Sequence, residues 1–252
     1  MKVGISGING TMGQILSKKV NEDNNLELVM GIDNNPLDCE NSCNAYVDPN
    51  DSINVPELII DFSHPSYLER VVDYASKHRI RLVIATTGYS EKQMQYLENL
   101  SQSVPILYSA NMSFGINVIT SILKRYTNIL SDSNYDIEII EKHHNKKADA
   151  PSGTAYLLAD TINESLDVPK RIVNGREGKS SLRSTEEIGI HAVRGGSIFG
   201  QHEILFAGDS DIIEINHTAL SKDVFAHGAI AAAKWLNNKE NGLYSMQDMF
   251  DF

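Results

Sequence analysis

The chain has 252 residues, 41% of them hydrophobic, which suffices for one large domain or two modest ones without disulfide staples. Lys and Arg number 22 against 33 Asp and Glu, a formal net charge of −11. That balance argues against a nucleic-acid binder, which needs a cationic face for phosphates, and against a membrane-surface protein, while leaving room for a small anionic substrate at a local basic cluster.

The N-terminus, MKVGISG, has a short apolar run broken by glycine and reads as a buried strand rather than a signal peptide. No stretch approaches the roughly 20 apolar residues of a membrane span. The two cysteines, Cys39 and Cys43, read as thiols in a reducing compartment, and a cytoplasmic protein is expected. Strands are expected at Val3–Ser6, Leu26–Asp33, Glu57–Phe62, Arg81–Ala85 and Pro105–Tyr108. Helices between them start at Thr11, at Pro65 and after Ser90, where Gln93 completes a capping box. This alternation implies a parallel sheet covered on both faces. Further on come a long helix from about Phe114 to Leu130, a strand at Tyr135–Lys142 and a helix at about Thr154–Asn163. Closely spaced strands at Glu187–Val193, Glu203–Phe206 and Ile212–Thr218 imply an antiparallel or mixed sheet. In the last of these, Ile213 and Ile215 alternate with Glu214 and Asn216, one face buried and one not. A final helix, capped by Ser221, carries Val224, Phe225, Ala229, Ala232, Ala233 and Leu236. The expected architecture is α/β. A Rossmann-type parallel-sheet domain is expected over 1–112 and 219–252, although the final helix could return to either sheet, and a smaller α+β domain with a mixed sheet over 113–218.

Two segments carry chemistry. Gly7, Gly10 and Gly13 follow the first strand and open the first helix. Glycines there allow a tight turn and a close approach of backbone to a pyrophosphate, and the helix N-terminus supplies N–H groups. Asp33 ends the second strand 20 residues beyond Gly13, where an acid holds adenosine ribose hydroxyls. Asn34 follows it rather than Arg, and no cation stands nearby in sequence, so NADH is expected to be preferred, with NADPH possible. The second segment runs Glu141-Lys-His-His-Asn-Lys-Lys-Ala-Asp-Ala-Pro-Ser-Gly-Thr154. It is a basic patch in an acidic chain, suited to a dicarboxylate, with histidine as a proton donor and a turn into a helix as an anion site. A solvated loop is the plain alternative. Metal binding would need ligands beyond His143 and His144, because adjacent strand residues face opposite ways.

This second segment closely resembles the signature of the 4-hydroxy-tetrahydrodipicolinate reductase (dihydrodipicolinate reductase) family, of the diaminopimelate route to lysine. Gly7–Gly13, Asp61-Phe-Ser-His-Pro65, Ala85-Thr-Thr-Gly88, Ser109–Gly115, Gly189–Gly196, Gly200-Gln-His202 and Phe225–Ala229 extend the likeness over nearly the whole chain. The resemblance implies reduction of 4-hydroxy-tetrahydrodipicolinate to tetrahydrodipicolinate by NAD(P)H. It implies that His143 is the proton donor, that Lys147 is a second donor or electrostatic partner, and that His144, Gly153 and Thr154 bind substrate carboxylates. Gly7, Ile8, Asn9, Gly10, Thr11, Met12, Asp33, Ala85, Thr86, Thr87, Ser109, Ala110, Asn111 and Met112 would line the dinucleotide. A homotetramer built through the second domain is also implied. The chain departs from the family pattern at Thr11, Ala85 and Met112, where Arg, Gly and an aromatic are usual. Two rivals share parts of the pattern: another amino-acid-linked dehydrogenase, such as an aspartate dehydrogenase, and a dinucleotide-sensing protein without chemistry. His143, His144 and Lys147 together with Pro-Ser-Gly-Thr speak against both.

Overall fold

The computed structural model describes residues 1–35, 43–179 and 182–250. Cys39 lies outside the described residues, and Cys43 is half-buried. The chain divides into two compact units, Met1–Phe114 with Lys222–Phe252, and Gly115–Ser221.

The first unit is built from β1 (Lys2–Ser6), α1 (Thr11–Asn21), β2 (Glu27–Ile32), β3 (Ala45–Tyr46), β4 (Leu58–Asp61), α2 (Leu68–His78), β5 (Arg81–Ile84), α3 (Glu91–Ser101) and β6 (Pro105–Tyr108). After the second unit the chain returns with α6 (Asp223–Leu236) and β12 (Gly242–Tyr244). The seven strands pair in parallel, in the order β12-β6-β5-β4-β1-β2-β3. Strand alternation splits their apolar side chains between two faces. Val3, Ile5, Leu58, Ile60, Val83 and Leu107 pack with Leu16 and Val20 of α1 and the alanine-rich face of α6. Met30, Ile32, Ile59, Leu82, Ile84 and Ile106 pack with α2 and α3 on the other side. Each such residue, fully buried, contributes about 1.5–3 kcal/mol. The expected capping box at Ser90 and Gln93 forms and starts α3.

The second unit holds α4 (Phe114–Asp132), β7 (Asp136–His143), α5 (Gly153–Glu164), β8 (Arg171–Asn174), β9 (Glu187–Arg194), β10 (Gly200–Ala207) and β11 (Ile212–Ala219). Its sheet has the order β11-β10-β7-β9-β8 and is mixed: β10 runs antiparallel to β7 and β11, whereas β7, β8 and β9 are parallel. Ile137, Ile139, Ile188, Ile190, Ile204 and Phe206 line one face against α4 and α5.

Three strands have no counterpart in the sequence reading. β3, β8 and β12 are two to four residues long, too short to show a period. The last helix starts at Asp223 with Lys222, not Ser221, at its N-cap. β11 is an edge strand, so the alternation expected of it is weak: Ile213 is 38% exposed and Ile212 59%. No described helix is long and apolar enough to cross a membrane.

Candidate active site

In the first unit, the loops singled out from sequence all leave the C-terminal ends of parallel strands. Ser6 pairs with Ile32 and Asp61, Asp61 with Ile84, and Ile84 with Tyr108. The loops after β1, β2, β4, β5 and β6 therefore begin side by side, and β1 sits where the strand order reverses, the place where open α/β sheets bind ligands.

The glycine loop shows why those glycines are needed. Gly7 has φ +78°, and a Cβ there would lie 2.5 Å from the Phe62 carbonyl oxygen. A Cβ on Gly13 would meet the Gly7 carbonyl oxygen at 2.1 Å, so helix and strand approach too closely for any side chain. Gly10 caps α1, whose first turn carries no acid. Its first turn thus brings no carboxylate of its own to repel a phosphate. Ile8 lies in the core, fully buried with its side-chain carbons against Gly31, so it offers this loop backbone only. The same holds for Met112, 2% exposed.

Asp33 is half-buried just past β2. Its carboxylate accepts from the Asn9 N–H (3.1 Å) and the Asn35 N–H (3.2 Å), which ties it to the glycine loop. The sequence reading saw no cation beside residue 34. The fold brings one from α2: Arg70 donates through Nη1 to the Asn34 side-chain oxygen (3.4 Å) and to the Val47 carbonyl (2.7 Å).

The loops after β4 and β5 are joined by a residue that went unassigned in the sequence. Asp61 is buried at the end of β4 and accepts from Ser63 Oγ (2.5 Å), Thr86 Oγ1 (2.6 Å) and Tyr89 OH (3.3 Å). Burial pushes its carboxyl above the usual range, against the pull of these hydroxyls. Thr86 Oγ1 also accepts from the Ser63 N–H (2.9 Å). The Thr86 side chain therefore turns inward to lock two loops together, while Thr87 is exposed and Ala85 half-exposed. After β6, the Ser109 hydroxyl donates to the Asn111 carbonyl (2.9 Å) and accepts from the Asn111 N–H (3.3 Å), and the Asn111 side chain accepts from the Ser113 N–H.

The second unit gathers the other cluster. Alternation along β7 puts Glu141 and His143 on the buried face with Ile137 and Ile139. His143 pairs across the sheet with Arg194 on β9, and Glu141 with His202 on β10. The Glu141 side chain has no exposure and accepts four bonds: Arg194 Nη1 and Nη2 at 2.7 Å each, His143 Nδ1 at 2.6 Å and the Ser152 N–H at 2.9 Å. Burial alone would raise its carboxyl. The bonds from Arg194, His143 and Ser152 outweigh burial and hold it below the usual carboxylate range. Bonded as a donor to an ionised Glu141, His143 Nδ1 keeps its proton and leaves Nε2 for chemistry. A Cβ on Gly200 would stand 3.1 Å from Nε2, so glycine there keeps that nitrogen clear.

Ser152 links this cluster to α5. Its Oγ accepts from the Ala155 N–H as the helix N-cap and lies 3.1 Å from His202 Nε2. Burial first, and the neighbouring His143 next, push His202 down to about 4, so it is neutral at physiological pH and shares a hydrogen bond with the Ser152 hydroxyl. The first turn of α5 carries no acid, and a Cβ on Gly153 would meet nothing within 4 Å. That helix N-terminus thus has room at Gly153, whose N–H already faces one carboxylate, that of Asp149, and it is suited in kind to an anion. His144 lies just past β7 with Nδ1 buried and no hydrogen-bond partner. Lys147 pairs with Asp149 (2.8 Å).

Sequence reasoning assigned no role to Glu141, Arg194, His202, Asp61 or Arg70. For Glu141 a signal existed: it continues the i, i+2 row begun by Ile137 and Ile139.

Comparison with known proteins gives one answer. Two family models match, "Dihydrodipicolinate reductase, N-terminus" over residues 1–112 and "Dihydrodipicolinate reductase, C-terminus" over 115–250. The chain is 45% identical to the 4-hydroxy-tetrahydrodipicolinate reductase of Caldanaerobacter subterraneus subsp. tengcongensis over 247 residues, covering 97% of this chain and 96% of that protein. It is 45% identical over 254 residues to the same-named protein of Clostridium novyi, covering 98% and 97%. A dipicolinate-bound dihydrodipicolinate reductase from Paenisporosarcina sp. TG-14 has the same fold, with TM-score 0.82 at 23% identity and 99% coverage of both chains.

Proposed function

The chain belongs to the dihydrodipicolinate reductase family, and on that premise we propose that it reduces 4-hydroxy-tetrahydrodipicolinate to tetrahydrodipicolinate with a pyridine dinucleotide in lysine and diaminopimelate biosynthesis. The first unit is the dinucleotide-binding domain. An acid-free helix start behind a glycine loop, and Asp33 at the end of β2, fit a pyrophosphate and an adenosine ribose. Asp33 favours NADH, because a 2′-phosphate would set a dianion beside a carboxylate. When bound, the reduced nicotinamide supplies the hydride.

The second unit holds the substrate and places one proton. The substrate's carboxylates would be taken at the N-terminus of α5, at Gly153 and Thr154, in place of Asp149, and by the cationic side of the cluster, with His144 and Lys147. His143 donates the proton from Nε2 to the carbon beside the reduced centre. Glu141 is its positioning residue: it fixes the ring through Nδ1 and stabilises the imidazolium before transfer. Arg194 in turn neutralises Glu141 and holds both its oxygens. His202 is not the donor, because it is neutral at working pH; it fixes Ser152 and with it the start of α5. The observation that carries this reading is His143, a nearly buried imidazole committed through Nδ1 to a fully buried carboxylate that also holds the Ser152 N–H at the start of α5.

A homotetramer in the cytoplasm fits the same reading. Its support is the edge strand β11, with Ile212 and Ile213 exposed, next to Tyr126 and Ile129 of α4, 48% and 61% exposed. The experiment for the activity is a coupled assay. Enzymatically generated substrate is supplied, and loss of NADH absorbance is followed. Turnover that depends on the substrate supports the reading; its absence in folded protein refutes it.

A further inference from the structure

The corner around Asp33 contains a charge that the reading above does not use. Arg70 lies on α2, three residues after Tyr67. Its guanidinium sits 5.5 Å from the centre of the Tyr67 ring. The Tyr67 hydroxyl accepts from the Asn34 N–H (3.1 Å), while Arg70 Nη1 reaches the Asn34 side-chain oxygen and the Val47 carbonyl. The guanidinium is therefore pinned beside the residue that directly follows Asp33. Among the described residues, both of its bonds leave from Nη1, and a guanidinium has five N–H donors, so Nε and Nη2 remain for another acceptor. Its charge is felt locally: Asp48 is held below the usual carboxylate range first by the Asn50 N–H groups and in smaller part by Arg70. Asp33, for its part, has backbone N–H groups on both carboxylate oxygens, which softens its repulsion of an incoming anion.

We infer that Arg70 determines cofactor specificity at the adenosine end, taking the 2′-phosphate of NADPH and so keeping the preference for NADH small. The inference rests on the reading of Asp33 as the ribose acceptor. The chemistry is that of a phosphate monoester dianion: Asp33 opposes it, and a preorganised guanidinium offers it a charge-assisted bond from a second element. Sequence inspection alone looks for this cation at position 34, next to the acid. Here it comes from 36 residues away.

The test compares full-length wild type, Arg70→Met, Arg70→Lys and Asp33→Ala for kcat/KM with NADPH and NADH. Adenosine 2′,5′-bisphosphate and adenosine 5′-monophosphate serve as binding probes by calorimetry. Arg70→Met should lower the NADPH:NADH ratio about tenfold, the size of one charge-assisted hydrogen bond, with the loss in KM. The bisphosphate should lose affinity relative to the monophosphate by a similar factor. Arg70→Lys should retain more of the ratio than Met, because it retains the charge. An unmoved ratio overturns the inference, as does an equal loss for both cofactors, which would mean that Arg70 only clips the Val47 loop. So does wild-type protein that binds the bisphosphate no better than Arg70→Met. Asp33→Ala reports on the underlying reading separately: if it leaves NADH use unaltered, the ribose assignment itself fails.

Discussion

Replacing Glu141 by Gln removes one charge and almost no volume, yet the geometry predicts a large effect. The carboxylate accepts two bonds on each oxygen: His143 Nδ1 and Arg194 Nη1 on one, the Ser152 N–H and Arg194 Nη2 on the other. A glutamine side chain keeps one accepting oxygen and brings an NH2 group to the other position. In either orientation two of the four donors then face a donor. Two lost bonds to a charged group, at about 1.5–3 kcal/mol each, come to about 3–6 kcal/mol. That overlaps the roughly 3–5 kcal/mol typical of breaking a buried ion pair, here by leaving Arg194 uncompensated. The melting temperature should fall on the order of 10 °C, measured by calorimetry. Turnover should fall too, because His143 loses the acceptor that fixes its ring. The ceiling is the whole worth of a general acid, about 10²–10⁴-fold in kcat. Stopped assays at a temperature where the variant stays folded separate this loss from instability. A Glu141→Gln protein that melts within about 2 °C of wild type and turns over at a similar rate would refute the claim that this carboxylate positions the donor.

Other outcomes follow from the same cluster. His143→Gln should lower kcat about 10²–10⁴-fold while NADH still binds, as read by fluorescence titration; a loss of only a few-fold removes His143 as the donor. Gly153→Ala should fold at least as stably as wild type, because its Cβ meets nothing and alanine is the better helix former, yet raise the substrate KM; unaltered KM and unaltered inhibition by pyridine-2,6-dicarboxylate would place the carboxylate elsewhere. Acid should destabilise the protein in two windows. His202, at about 4 when folded against 6.5 when not, is uncharged in the native state while the unfolded chain takes up a proton, so stability is present above about pH 6.5 and falls by roughly 3 kcal/mol toward pH 4. Glu141, whose carboxyl is lowered, contributes stability above its unfolded value that is lost as pH falls further, through its folded pKa. Chemical denaturation across pH should show His202→Gln flattening the upper window only; an unchanged slope there would mean His202 is not held neutral.

Much of this was legible in the residues, for reasons that also mark the limit. The parallel-sheet unit announces itself because its strands are short apolar runs separated by periodic helices, and Gly7 and Gly13 are forced by backbone contacts that no other residue permits. The His143 segment stands out because it is a basic cluster in an acidic chain. What stayed hidden depends on register. Glu141 looks like one more charge in Glu-Lys-His-His, and only its place on the buried side of β7, within reach of Arg194 53 residues away, makes it the hub of the site. Asp61 reads as a strand-end acid, and Arg70 as a surface charge on a helix. Each acquires its role from a partner brought by tertiary contact, at Thr86 and at Asn34. Local patterns carry no information about such pairings. Thr86 and Met112 show the converse limit: both lie in loops at the strand ends, but their side chains are buried, which sequence position alone does not reveal.

The return of the chain to its first unit has a consequence for biogenesis. Residues 1–114 contain the glycine loop, six of the seven strands and three of the helices, but one face of that sheet is covered in part by α6, through Ala226, Ala229, Ala232, Ala233 and Leu236, and the β6 edge is closed by β12. All of those residues are made after the second unit. A chain that has emerged as far as residue 221 holds a second unit with every strand it needs and a first unit with an apolar face still open to water. The order of completion is thus the reverse of the order of synthesis, and until residues 222–252 have joined it the earlier unit is the aggregation-prone one. Nascent chains arrested at increasing lengths should show protease resistance arising in 115–221 before it arises in 1–114.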